Sequence, residues 1–243
     1  MRNHIKYSLT VSNIVYLNPI VAKVKSPLKR PVKAAKRRYD SARRQAQAAD
    51  TRLQVVEAAR RLFTDRGYVG TTIEAIAREA GVAAETVYAA FGSKRAVLQR
   101  LVGVSIVGDD KPIPLVDRPD VLEMIQEPDQ RRQIRLLAKQ MRGIQERMGP
   151  IWRVMREAER AEPDIASMVQ DGIRGRFVGM SQFVVVLCSK GPLREGLTVS
   201  VAQETVWAMT SAEVHRLFTV DRGWSGDRYE QWVAGVLNRL LLP

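Results

Sequence analysis

The chain has 243 residues, enough for one large or two modest domains, and at 45% apolar it can bury a real core. Its single cysteine, Cys188, excludes an internal disulfide and a cysteine-based zinc site, and no run of about 20 apolar residues marks a membrane span. The net charge of +13 is lopsided: residues 1–50 hold 12 Lys/Arg against 2 Asp/Glu, residues 51–102 hold 8 against 5, and residues 103–243 hold 19 against 19.

A basic end on a neutral body points to a polyanionic partner at that end. The plainer alternative is a solvated basic tail. Within residues 1–30, Leu9 to Ala22 is mildly apolar, but Asn13, Asn18 and Pro19 interrupt it and Lys23 and Lys25 follow at once. With no small-residue cleavage site, this reads as a poorly ordered extension rather than a secretory signal. Residues 29–44, KRPVKAAKRRYDSARR, are strongly basic. Pro27 and Pro31 oppose a helix before about Lys33. Beyond that point the stretch is either helical or ordered only on contact with phosphates.

Asp50 or Thr51 is the expected cap of the next helix, whose buried face is Leu53, Val56, Ala59, Leu62 and Phe63 and whose end is Gly67. The most informative stretch follows, residues 72–91, TIEAIAREAGVAAETVYAAF. Ile73, Ile76 and Ala77 form an apolar stripe at helical spacing, and Val82, Val87 and Phe91 continue it beyond Gly81. Glycine turns the chain there without a steric penalty, so two short helices meet at a tight turn. Those are the dimensions of a helix-turn-helix, whose second helix enters the DNA major groove. Thr71 or Thr72 caps the first of these helices, and Ser93 caps another that runs to about Val104. Lys94 opposes the dipole at that helix start, which makes sense if it meets a phosphate; otherwise it is a solvated lysine.

Several features recur here at fixed spacing: Ala58-Ala59 with Leu62-Phe63, Gly67-Tyr68, Thr71-Thr72, Ile76-Ala77, Ala80-Gly81-Val82, Thr86-Val87-Tyr88, Phe91 and Ser93-Lys94. Together they resemble the DNA-binding domain of the TetR family of bacterial transcription regulators, over roughly residues 49–109. The resemblance implies that Thr72, Thr86, Tyr88 and Lys94 touch the phosphate backbone. It places Ala84, Glu85, Ala89 and Ala90 on the base-facing side of the recognition helix. Two residues depart from the family pattern. Ala83 replaces a capping serine or threonine, and Ala90 replaces a large polar residue. Alanine offers a base edge only apolar contact, so Glu85, able to accept from cytosine N4, is the best base reader. Indirect readout or the basic arm supplies the rest.

Past Gly108 the chain reads as a proline-rich linker and then as helices only. One short helix follows Pro119; a second, capped by Asp129, runs through Met148; Gly149-Pro150 breaks or sharply kinks it; and a further helix spans Ile151 to about Ala161. Pro163 opens another helix, through about Cys188. Thr198 caps one to about Thr219, and Ser225 caps the last to about Leu241. FVVVL, at 183–187, is β-branched but lacks partner strands, so a buried helix is expected.

Two sites lie in this half. The resemblance implies a homodimer through the last two helices, with Val206, Met209, Val214, Leu217, Trp232, Val233, Val236, Leu237 and Leu240 as interface; the alternative is ordinary monomer core. It also implies a small apolar effector in a cavity lined by Met141, Trp152, Met155, Phe177, Phe183 and Trp207, again with plain core as the alternative. His215 is read as hydrogen-bonded or interfacial rather than as a ligand contact.

No phosphate loop, metal-spaced His/Glu pair or nucleophile elbow appears, so no enzyme activity, cofactor or metal is expected. The reading is all-α: a basic extension over residues 1–48, a three-helix DNA-binding domain with its helix-turn-helix over residues 49–109, and a helical effector-binding and dimerisation domain over residues 110–243. Its expected role is a cytoplasmic, ligand-responsive repressor on a palindromic operator in double-stranded DNA, with no membrane partner. The competing classes are a helical protein that coats DNA or another polyanion without preference and, remotely, a helical small-molecule enzyme.

Overall fold

The computed structural model describes residues 35–243, with side chains from Ala46 onward. The readings made for residues 1–34 lie outside the described residues. Among the described residues every regular element is helical.

The first helix, α1 (Ala35–Arg66), is far longer than its expected capped start implied. It runs straight through Asp50 and Thr51, so neither is a cap. The preceding segment is rich in alanine and arginine and lacks proline and glycine, which favours helix. Asp50 instead accepts from Gln54 Nε2 one turn on, at 3.4 Å. The helix stops at Gly67, which sits at φ 71°. Thr71 is buried there and donates to the carbonyls of Leu62 and Gly67, at 3.2 and 2.8 Å.

Two eight-residue helices follow: α2 (Ile73–Ala80) packs on α1, and α3 (Ala84–Phe91) packs on α2. Then α4 (Lys94–Val107) carries the chain from the head into the body. The loop that follows is pinned where Arg118 donates to both oxygens of Asp109, at 2.9 and 2.7 Å. That pairing holds the Asp109 carboxyl well below the usual carboxylate range. The body comprises α5 (Pro119–Gln126), α6 (Gln130–Ala158), α7 (Pro163–Lys190), α8 (Val199–Met209), the single-turn α9 (Ala212–Arg216), a π turn at Leu217–Asp221, and α10 (Gly226–Leu241).

Two expected breaks fall elsewhere. Pro150 does not end a helix, because α6 continues through it. A proline inside a helix costs about 3 kcal/mol. Continuation buries Ile151, Val154, Met155 and Ala158, and a fully buried side chain of this kind returns about 1.5–3 kcal/mol. Conversely, the helix expected from Thr198 to Thr219 divides at Thr210–Ser211. The Thr210 hydroxyl donates back to Val206 O at 2.7 Å, and Ser211 caps α9 by accepting from Val214 N at 3.2 Å. Hydroxyl side chains compete with the backbone in this way. The Thr210 carbonyl left over accepts from the buried Gln145 Nε2 at 2.7 Å.

Two apolar clusters fill the molecule. The first joins α1–α4 to the second half of α6 and the start of α7. The second joins α5, the first half of α6, the end of α7, α8 and α10. FVVVL is buried helix, as expected: Phe183, Val184 and Leu187 all sit in the second cluster.

Because Ile151 lies inside the cluster shared with the head, Ile151→Ala is expected to lower the unfolding free energy by about 2–5 kcal/mol. Urea denaturation of the full chain checks this. A loss under about 1 kcal/mol would show that α6 beyond Pro150 is not packed against the head.

Candidate functional site

The outer face of α2 and α3 is built by local rules. Thr72 caps α2, its hydroxyl accepting from Ala75 N at 3.2 Å. At the turn, Gly81 takes φ 69°, its N–H reaches Arg78 O, and the N–H of Val82 reaches Ala77 O at 3.0 Å. A side chain at this φ would be strained, so glycine fits the position. Val87 is fully buried and anchors α3, with Phe91 packed against the same core.

That anchoring fixes what α3 shows outward. Glu85, Thr86, Tyr88 and Ala89 are exposed, as is Thr72 at the head of α2. Ala84 and Ala90 are half-buried, and Ala84 leans back on the core, which reduces its reach toward a base edge. Ala83 makes no side-chain cap, as its residue type dictates.

Tyr88 is 49% exposed, and its hydroxyl donates to Glu74 Oε1 at 3.3 Å. The sequence marks Glu74 only as fitting a capping box with Thr71, and nothing in it signals the bond to Tyr88. Its own backbone N–H, the Thr72 hydroxyl and the Tyr88 hydroxyl hold its carboxyl below the ordinary value. The charge of Glu74 in turn pushes the Tyr88 phenol up, so the phenol remains a neutral donor.

Lys94 is half-buried. Its ammonium donates to Tyr68 O at 2.9 Å and stands 4.2 Å from the centre of the Tyr68 ring. Burial lowers its pKa, partly opposed by Glu162. An ammonium has three donors, and the bond to Tyr68 uses one. The neighbouring Arg95 pairs with Asp164 on α7 at 3.5 Å.

Head and body meet along α4. Leu98 and Leu101 are fully buried in the head core, while Val102 and Ile106 line a cavity in the body. At its far end the α4 carbonyls are capped by an arginine from α6: Arg147 donates to Ser105 O at 2.9 Å and to Ile106 O at 3.2 Å. Arg60 of α1 donates to Ser105 Oγ at 3.1 Å. Three helices therefore share one polar bracket.

The cavity measures about 500 Å³ and lies between α4, α6, α7, α8 and α9. Met141, Trp152, Met155 and Trp207 line it, as the sequence suggested. Phe177 and Phe183 do not. Phe177 faces outward, edge-on to Trp207 with ring centres 6.3 Å apart, and Phe183 is buried in the second cluster. Both stand on α7, whose cavity side is instead Gly172, Gly175, Arg176 and Gly179. Gly175 has open space where a Cβ would stand. The guanidinium of Arg176 sits 4.7 Å from the Trp207 ring and donates to Trp207 O. Burial pulls it down to about 10. Hydrophobic spacing carries no signal for such an arginine.

The expected dimer residues are mostly spent inside the subunit. Val206, Val233 and Leu237 are fully buried in the second cluster, so they are not a free face. Met209, Val214 and Trp232 pack against the same cluster, and Trp232 meets the Phe218 ring in a tilted contact with centres 4.2 Å apart. The stripe is not surplus: α6 packs on α10, α7 packs on α8, and α8 packs on α10. Leu217 and Leu240 remain exposed and Val236 half-exposed. His215 is buried, does not line the cavity, and meets the Tyr229 ring edge-on at 4.7 Å.

Residues 55–101 match the family model described as bacterial regulatory proteins, tetR family. No curated protein matches the chain by sequence. Solved structures do match its fold. The transcriptional regulator FadR of Bacillus subtilis, in complex with stearoyl-CoA, is 16% identical with a TM-score of 0.59, covering 76% of this chain and 96% of that one. The fatty acid degradation regulator FadR of Bacillus halodurans is 18% identical with a TM-score of 0.59, covering 76% and 93%. NalD, the secondary repressor of the MexAB-OprM multidrug efflux pump in Pseudomonas aeruginosa, is 18% identical with a TM-score of 0.59, covering 80% and 98%. The all-α architecture and the family resemblance read from the sequence are thereby borne out.

Because α3 begins without a side-chain cap, Ala83→Ser is expected to stabilise the protein by about 0.5–2 kcal/mol. Thermal unfolding measured by circular dichroism reads this out. An unchanged or lower midpoint would mean that α3 gains nothing from a capping oxygen.

Proposed function

We propose, from the premise that this chain carries the DNA-binding domain of the tetR family of bacterial regulatory proteins, that it is a cytoplasmic, ligand-responsive transcriptional repressor acting as a homodimer on a palindromic operator. The observation that carries this reading is the uncovered face of α3, held outward by Val87 and bearing Glu85, Thr86, Tyr88 and Ala89. A helix presented in this way fits the major groove, and a second copy places another one helical turn away, about 34 Å.

In this reading Thr72, Thr86, Tyr88 and Lys94 hold phosphates while Glu85, Ala84, Ala89 and Ala90 face the bases. Tyr88 exchanges its bond to Glu74 for one to DNA, and Lys94 uses the donors left free by Tyr68. The ligand enters the cavity, whose volume of about 500 Å³ lies within the usual range for small-molecule sites, roughly 300–1,000 Å³. Lined by α4 at Val102 and Ile106, it is coupled to the head by the helix that packs against α1 and α3. A ligand shifts DNA affinity only if it prefers one placement of α4. The Bacillus subtilis FadR structure, with stearoyl-CoA bound, is a case of a regulator of this fold holding a ligand. Pairing of subunits falls to the apolar residues that still reach solvent, among them Leu217, Val236 and Leu240. The competing reading, non-selective coating of DNA by the basic end, draws on the charge of residues 1–50.

Fluorescence anisotropy with duplexes from the DNA beside the gene itself, against scrambled duplexes at one salt concentration, separates the two. Preference for the natural duplex is expected. Lys94→Gln, which keeps a donor toward Tyr68 and removes the charge, is expected to weaken binding and reduce the salt slope by about one unit. Equal binding to both duplexes favours coating. An unchanged slope removes Lys94 from the DNA contact.

A further inference from the structure

The cavity is not chemically uniform. Its walls are methionine and tryptophan, but four charged residues reach it: Arg156, Asp171, Arg176 and Glu213. Three have partners of their own. Arg156 pairs with Glu159 at 2.9 Å, Asp171 pairs with Arg174, and Glu213 accepts from Trp152 Nε1 at 3.0 Å. Arg176 differs. Among the described residues no carboxylate forms an ion pair with it, and its one hydrogen bond goes to Trp207 O in the last turn of α8. A guanidinium carries five N–H donors, so capping α8 leaves the others unspent. The indole N–H of Trp207 is also buried without a hydrogen-bond partner. A half-buried guanidinium with donors to spare stands beside a buried N–H that has no acceptor, and an unmet buried donor is costly unless an acceptor is supplied.

We infer that the effector is an amphipathic anion, with a carboxylate-like head on Arg176 and the Trp207 N–H and an apolar body along Met141, Met148, Met155 and Trp152. This rests on the ligand-binding reading above and narrows it, replacing the purely apolar effector that the sequence suggested. The planar guanidinium matches a carboxylate with two parallel N–H bonds, and the methionines adapt to the shape of an aliphatic or aromatic tail. Glu213 offsets part of the Arg176 charge through space without pairing with it, and a carboxylate head on the guanidinium supplies the direct partner that an uncharged ligand of the same shape does not. The protein interior also lowers the effective dielectric, which strengthens the pairing relative to water.

Isothermal titration of the full chain with octanoate and 1-octanol tests this, because the two share an eight-carbon tail and differ in the head group. Octanoate is expected to bind at least about tenfold tighter. In Arg176→Met that preference falls to within about twofold, while 1-octanol binds as before. Trp207→Phe, which keeps a ring and removes the N–H, reduces the preference about threefold or more and serves if the arginine variant does not fold. Equal affinity for the two probes, or a preference that survives Arg176→Met, overturns the anion assignment and leaves the cavity as an effector site. Failure of both probes to bind overturns the assignment and the ligand-binding reading together.

Discussion

Everything in this molecule depends on the double burial of α4. One of its sides is locked into the core of the three-helix head, with Leu98 and Leu101 fully buried. Its far half lines the body cavity with Val102 and Ile106. Close-packed interiors transmit displacement rather than absorb it. The first apolar cluster runs without interruption from α3 through α4 to Met155 and Met168, and both methionines also line the cavity. Head and cavity are thus two ends of one packed unit. Arg60, Ser105 and Arg147 add a polar bracket at the end of α4. In the proposed ligand-responsive reading, a two-state movement of this helix is the form that coupling between the two sites would take.

The face proposed to meet DNA offers few polar groups. Its outward residues offer one carboxylate, two hydroxyls and alanine, and alanine can distinguish only a thymine methyl. In the proposed reading, such a face draws its selectivity beyond Glu85 from how the duplex bends and from where the phosphates sit. Glu74 adds to this. Its carboxylate stands beside Thr72 and Tyr88, where DNA phosphates are proposed to lie, and it holds the Tyr88 hydroxyl. A negative charge there opposes loose binding to any duplex and favours only geometries that keep phosphates away from it.

The helix-turn-helix was legible because its determinants are local. Gly81 needs its left-handed turn, Val87 and Ile76 need their core, and Thr72 and Ser93 cap the helices that follow them. What escaped was set by distant contacts. Pro150 reads as a break until the burial of Ile151 and Val154 is weighed against it. Thr210–Ser211 reads as helix until Gln145 is seen to satisfy the freed carbonyl. Helical spacing marked Val206, Val233 and Leu237 as apolar but could not say that α7 packs on α8 and α6 on α10. It likewise found Met141, Trp152, Met155 and Trp207, yet placed Phe177 and Phe183 beside them, because a stripe of large residues does not reveal which side of α7 faces the cavity. Glycines at 172, 175 and 179 mark that side instead.

One measurement tests the coupling of cavity to DNA face without a ligand in hand. Gly175 lines the cavity, and nothing lies within 4 Å of the position its Cβ would take. Leucine there fills space inside the cavity and favours helix over glycine. The duplex affinity of Gly175→Leu, measured by anisotropy at fixed salt, is predicted to fall about fivefold or more. Affinity unchanged within about twofold, in a protein of native helical content, would contradict the account, because the cavity could then change its contents without the recognition helix responding.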